Sequence, residues 1–242
     1  MANDLKLPDK IKNILRDFVT GLQGTYGGDL TSVILYGSAA SGEFSAVHSN
    51  VNCAVILRDT SLPALGKIVP ILNKGKFRRL NAIFLTEAYI KNSADVFPVE
   101  FLDIKENHRI LYGKDVLTGL NIDIKNLRFQ CEQELRSKII NIKRVYLTGI
   151  NSPDLDKLLL KFFTASLHIL RNILRLKNGR AVYRKEDILN GIAGGFHIDV
   201  SNMKKILEAK SANRRLPRKA ARELFVSIVG DLEKISDAVD RL

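Results

Sequence analysis

The chain reads as an α+β protein of two domains, residues 1–120 forming a mixed sheet flanked by helices and residues 121–242 forming an all-α helical bundle. Three observations predict this. The first half is punctuated by short β-branched runs bounded by glycine and proline, the pattern of strands and turns. From Asp123 onward apolar residues recur at a 3.6-residue rhythm over long spans. Charge divides the same way: residues 1–120 carry 14 Lys+Arg against 12 Asp+Glu, residues 121–242 carry 24 against 14, so most of the net +12 lies on the second half.

The elements follow in order. Residues 5–26 place Ile11, Ile14, Leu15, Phe18 and Leu22 at helical spacing, opened by Pro8-Asp9 and closed by Gly24, Gly27 and Gly28. Val33, Ile34 and Leu35 begin a strand that stops at Gly37-Ser38, and a second strand starts at Asn50-Val51-Asn52. Residues 61–72 read as one short helix despite Gly66 and Pro70, with Leu62, Leu65, Ile68, Val69 and Leu72 on one side. Residues 81–86 and 97–104 are two further strands, separated by a helical turn over 87–91, and Leu111-Tyr112-Gly113 closes the domain. In the second half Leu127, Cys131, Leu135, Ile139 and Ile142 mark a helix ended by Gly149, and residues 153–176 mark another between Pro153 and Gly179. Residues 184–192, 200–207 and 217–242 complete a bundle of four or five helices.

Bulk composition excludes several classes. With 45% hydrophobic and 26% charged residues the chain is an ordinary globular sequence, and no stretch approaches the ~18 consecutive apolar residues of a membrane span. The start, MANDLKLPDK, lacks the apolar core of a secretion signal, so the expected location is the cytoplasm. Cys53 and Cys131 fall in different domains, which gives neither a disulfide framework nor metal-ligand spacing, and His48, His108, His168 and His197 are scattered. His48 alone is near enough in sequence to the Asn50–Asn52 pair to meet a ligand there, and it reads more readily as a solvated loop residue.

The residues that carry chemistry are Gly37-Ser38 and Asn50-x-Asn52. Glycine at the turn removes the side chain that would keep backbone amides away from a phosphate. Side chains alternate along a strand, so Asn50, Asn52 and Ala54 share one face and Val51, Cys53 and Val55 the other, directing both amides toward whatever Ser38 faces.

At these residues the chain resembles the nucleotidyltransferase superfamily, whose motif is a Gly-Ser turn followed, after a spacer, by a strand of Asp-hydrophobic-Asp/Glu form. The segments FPVEFLDIKENHRILYGKDVL and LRFQCEQELRSKIINIKRVYL extend the likeness to bacterial proteins of the kanamycin-nucleotidyltransferase type, which join such a domain to a helical one. The resemblance implies Gly37, Ser38, Asn50 and Asn52 as nucleotide-binding positions, a nucleoside triphosphate as substrate or ligand, and Mg2+ as the cofactor of an active member. It also implies a third carboxylate on a later strand, for which Glu100 is the first choice and Asp103 the second. An odd offset puts these two on opposite faces of a regular strand.

The departure from the motif decides the expected activity. Magnesium prefers hard, anionic oxygens in an octahedron, and an Asn carbonyl is an oxygen ligand without the charge. Two amides in place of two carboxylates remove two formal charges from the family's metal positions, so the expectation is nucleotide binding with weak or lost nucleotidyl transfer. Two alternatives stand beside it. One is an active transferase that passes a nucleoside monophosphate to a small molecule, protein or RNA through Glu100 and Asp103. The other is a non-enzymatic module that binds nucleic acid or protein through the basic cluster Lys204, Lys205, Lys210, Arg214, Arg215, Arg218, Lys219 and Arg222. That cluster lacks aromatic residues for base stacking and also reads as an ordinary solvated helical surface, as does the smaller set Lys74, Lys76, Arg78 and Arg79.

Overall fold

A four-stranded mixed sheet forms the centre of the first half: β1 (Leu30–Tyr36), β2 (Val51–Leu57), β3 (Leu80–Leu85) and β4 (His108–Gly113), in the order β3-β2-β1-β4. β1 pairs antiparallel with both β2 and β4, while β2 and β3 run parallel. In this computed structural model residues 7–41, 44 and 50–242 are described. His48, and the first residues of the helix expected from residue 5, lie outside the described residues. One compact unit ends at Ile122 and the second begins at Asp123.

Both faces of the sheet are covered. On one, Val33, Leu35, Val51, Cys53 and Val55 meet Ile11, Leu15, Phe18 and Leu22 of α1 (Asp9–Tyr26). Phe18 is fully buried, 5.8 Å from the Phe77 ring, and burial of such a side chain stabilises by about 1.5–3 kcal/mol. On the other face, Ile34, Ala54 and Ile56 meet Ile90, Phe101, Ile104, Leu117 and Leu120. A four-residue turn, α2 (Ser38–Ser41), follows β1, and two short helices, α3 (Leu62–Gly66) and α4 (Val69–Leu72), make the crossover from β2 to β3. The single helix expected over 61–72 is thus divided. Gly66 ends the first piece and Pro70, which cannot donate its backbone nitrogen, sits in the first turn of the second.

The strand expected over 97–104 is a helix. Residues Pro98–Glu106 form α6, after α5 (Glu87–Ser93), whose N-cap Thr86 accepts a 3.0 Å bond from the Tyr89 amide. Pro98 presets the first helical turn, and the buried Pro98, Phe101 and Ile104 recur every third residue, a helical period that Val99 and Phe101 had masked as alternation. Glu100 is exposed in the first turn of α6, and Asp103 is half-buried one turn later. They are helical neighbours at i, i+3 rather than residues on opposite strand faces. The fourth strand is β4, whose C-terminal half is the expected closing segment.

The second unit is helical: α7 (Ile124–Gly149), α8 (Leu155–Asn178), α9 (Lys185–Phe196), α10 (Ser201–Ser211) and α11 (Arg218–Val239). α8 buries Leu159, Phe163, Leu167, Leu170, Ile173 and Leu174 along one face, with Phe162, Ile169 and Asn172 widening the buried surface beside it, and it packs against α7, α9, α10 and α11. It is the axis of the bundle. Asp123 caps α7 through a 2.8 Å bond from the Lys125 amide, and left-handed Gly179 ends α8. Among the described residues no helix is long and apolar enough to cross a membrane.

Candidate functional site

Register assembles the site at one end of the sheet. Asn52 of β2 pairs with Tyr36 of β1 on one side and with Asn81 of β3 on the other, and Tyr36 pairs with His108 of β4. Residues paired across strands point to the same face, so Asn81, Asn52, Tyr36 and His108 form one row. Inward from that row the face becomes the apolar Ile34, Ala54, Ile83 and Ile110. The row is where the sheet leaves its core and meets solvent.

The Gly37-Ser38 turn closes over this row. Gly37 has φ +72°, the left-handed region, and its carbonyl accepts bonds from the Ala40 and Ser41 amides at 2.9 and 3.0 Å. Its own amide donates to the Asn107 carbonyl at 3.3 Å, tying the turn to the segment that leads into β4. A Cβ at residue 37 would lie 3.1 Å from Asn52 Nδ2. Glycine thus suits the left-handed backbone of the turn, and a side chain there would also crowd the Asn52 amide.

Asn81 is the partner that sequence reasoning missed. Its Nδ2 donates to Asn52 Oδ1 at 3.1 Å, leaving Asn52 with its oxygen committed to β3 and its Nδ2 toward Gly37. The signal was present: Asn81 breaks the inward face of a strand whose next residues of that parity, Ile83 and Leu85, are apolar. Asn50 immediately precedes β2 and is exposed.

His108 ends the row. Its Nδ1 lies 2.8 Å from the Lys105 carbonyl and its Nε2 lies 3.2 Å from Asp115 Oδ2, so the ring is held from both sides. Partial burial pushes the Asp115 carboxyl up, but bonds from the Leu117 amide and from Thr118, together with His108, outweigh it and hold the group below the ordinary carboxylate range. Burial raises the Tyr36 hydroxyl, with Cys53 adding to the effect, and pushes the Cys53 thiol up to about 12, leaving Cys53 an inert packing group.

Among the described residues, those at this end of the sheet do not fit a magnesium site. Neither Asn52 nor Asn81 carries charge, the Asn52 oxygen is already an acceptor, and no cluster of three His, Cys, Asp or Glu side chains suited to a metal occurs among the described residues. Glu100 and Asp103 lie on α6, off the strands that make the row.

The basic cluster of the second unit is occupied in part by its own fold. Arg215 bonds Asp156 and the Pro153 carbonyl, while Arg218 and Arg222 both reach the Ile150 carbonyl and Asn151 Oδ1. These arginines clamp the turn between α7 and α8, satisfying carbonyls that helix ends leave over. Lys210 donates to Thr164 and Lys205 to Asn202. Burial and the neighbouring Lys185 lower the Lys210 pKa. In the first unit Lys76 pairs with Asp17 at 2.6 Å.

No family model matches the chain, and no curated protein matches it by sequence. Among solved structures it is similar to spectinomycin adenyltransferase AAD(9) from Enterococcus faecialis, crystallised with ATP and spectinomycin. That similarity has a TM-score of 0.55 at 15% identity and covers 93% of this chain and 97% of the other. The chain thus shares the α+β fold of that adenyltransferase, a mixed four-stranded sheet followed by helices.

Proposed function

We propose that the protein binds a nucleotide at the Gly37-Ser38 turn and the asparagine row, with nucleotidyl transfer weakened or lost. The observation that carries this reading is the Asn81–Asn52 hydrogen bond at the mouth of the turn: Asn52, which stands at the second acidic position of the motif, is an amide whose oxygen is bonded to the Asn81 amide. The adenyltransferase neighbour was crystallised with ATP, which supports a nucleotide as the ligand. A cytoplasmic setting suits such a ligand. Mg2+ belongs to the reading only as the cofactor of a carboxylate-restored site.

A second reading, an active transferase acting on a small molecule, protein or RNA, draws its carboxylates from Glu100 and Asp103, whose spacing on α6 puts them side by side. A radiolabelled-nucleotide transfer assay separates the two. The first reading expects the Asn50→Asp, Asn52→Asp, Asn81→Asp variant to exceed the parent by orders of magnitude. Equal turnover by parent and variant, with loss of that turnover in Glu100→Gln, supports the second reading and overturns the first.

A further inference from the structure

The outer face of the α7–α11 pair exposes apolar side chains. The two helices run antiparallel, since Arg136 pairs with Asp240 and Lys143 with Glu233. Beyond the second pair, toward the α7–α8 turn, lies a groove of about 570 Å3 lined at its base by the Tyr146 and Phe225 rings, 5.7 Å apart. Leu147 and Val226 stand on its two sides, 76% and 64% exposed, and Ile140 continues the α7 stripe. Gly230 lines the same groove in the interior of α11, where glycine is among the least favourable residues. A Cβ there would meet nothing within 4 Å among the described residues, so no neighbour within them requires the glycine. A bare backbone on an apolar face suits the close approach of a second backbone.

We propose that this face is the interface of a reversible homodimer, in which α11 packs antiparallel on α11 of a second copy about a two-fold axis between Val229 and Gly230. The charges of the helix select that partner. One stripe of α11, at helical spacing, reads basic at Lys219 and Arg222, apolar or small at Val226, Val229 and Gly230, and acidic at Glu233, Asp237 and Asp240. The two-fold sets Lys219 against Asp240 of the other copy, Arg222 against Asp237, Val226 against the stem of Glu233, and Val229 against Gly230. A parallel pairing would place like charges together and align the helix dipoles. Arg222 keeps its charge for this role, because its partners Ile150 and Asn151 are neutral. The Lys143 and Arg136 pairs soften the acidic end but leave Asp237 exposed beside them. Two helices of ~33 Å, widened by Ile140 and Leu147, make a contact at the low end of specific interfaces, below about 1,200 Å2, so the dimer is weak.

The test is sedimentation equilibrium of the full chain from about 1 to about 300 μM. Expected is a monomer–dimer equilibrium with a dissociation constant of tens of micromolar. Val226→Glu sets a carboxylate against Glu233 of the other copy and should weaken association by about tenfold or more. Lys219→Glu should weaken it about threefold, and Lys219→Glu with Asp240→Lys should restore it, because the exchange keeps opposite charges face to face. A parent that stays monomeric at the highest concentration overturns the proposal. A dimer that Val226→Glu leaves intact also overturns it, because the contact then lies elsewhere. Failure of the double exchange to restore association overturns the antiparallel register. Circular dichroism establishes that the variants, all at surface positions, are folded.

Discussion

The polar end of the sheet and the basic cluster of the helical unit teach opposite lessons about charge. At the sheet end the polar side chains are mostly neutral, yet register brings Asn81, Asn52, Tyr36 and His108 into one row against a glycine turn. In the helical unit eight Lys and Arg crowd one stretch of sequence, yet Arg215, Arg218 and Arg222 are turned back onto the α7–α8 connection. Abundant charge there serves the fold, while sparse, aligned amides elsewhere form the row proposed as the nucleotide site. Partners and directions of side chains, rather than their number, distinguish a site from a surface.

Removing one strut should break that contrast most visibly. Arg215 reaches Asp156, which is 3% exposed, while Arg215 itself is 61% exposed. Stranding a buried carboxylate is costly, and with solvent screening on the arginine side Arg215→Ala should destabilise by about 2 kcal/mol in urea unfolding. Adding Asp156→Asn should recover part of the loss. A neutral Arg215→Ala would return the arginine to the pool of surface charges.

Gly37→Ala probes the other side of the comparison. A side chain at φ +72° costs about 1–2 kcal/mol, and the new Cβ would press on Asn52 Nδ2. ATP affinity should fall about tenfold, well beyond what the stability loss explains, because the turn and the Asn52 amide shift together. An unchanged affinity would separate the turn from the site.

One carboxyl group in each unit is shifted in the opposite direction to the other. Asp115 has a lowered folded pKa, so its stabilising contribution is present above the unfolded carboxylate value and is lost as pH falls through the folded one. Asp231 is raised, chiefly by burial, with Lys234 and Ser227 opposing the shift. Its contribution is greatest at low pH and is lost as pH rises through the folded value. Chemical denaturation from pH 3 to 7 should therefore show Asp115→Asn losing stability near neutrality and Asp231→Asn keeping or gaining it, each by under about 1 kcal/mol. The smallest effect belongs to Lys204→Ala with Lys219→Ala. These exposed residues should alter stability by less than about 0.5 kcal/mol, and gel shifts with duplex DNA should show no salt-sensitive complex to lose.

Much of this was legible in the chain. β1 and β2 are continuous β-branched runs ending at Gly37 and starting near Asn52, and the helical half repeats its apolar residues at a period no strand shares. Two things were not. Pro98-Val99-Glu100-Phe101 satisfies both a strand and a helix pattern over so few residues, and the packing of Phe101 and Ile104 beneath the sheet decides for the helix. The Asn52–Asn81 pairing depends on the parallel register of β2 and β3, two strands separated in sequence by the α3–α4 crossover, so the local pattern of neither strand announces it. Likewise, the carbonyls clamped by Arg218 and Arg222 lie around residue 150, a contact that no local pattern announces.

The claim that the sheet end has exchanged acidic for amide chemistry is tested most directly by titrating Mn2+, a paramagnetic stand-in for magnesium, into the nucleotide-free protein and reading bound metal by electron paramagnetic resonance. The parent should leave the free Mn2+ signal unchanged, and Asn50→Asp, Asn52→Asp, Asn81→Asp should deplete it in proportion to protein. Depletion by the parent equal to that of the variant would contradict the account.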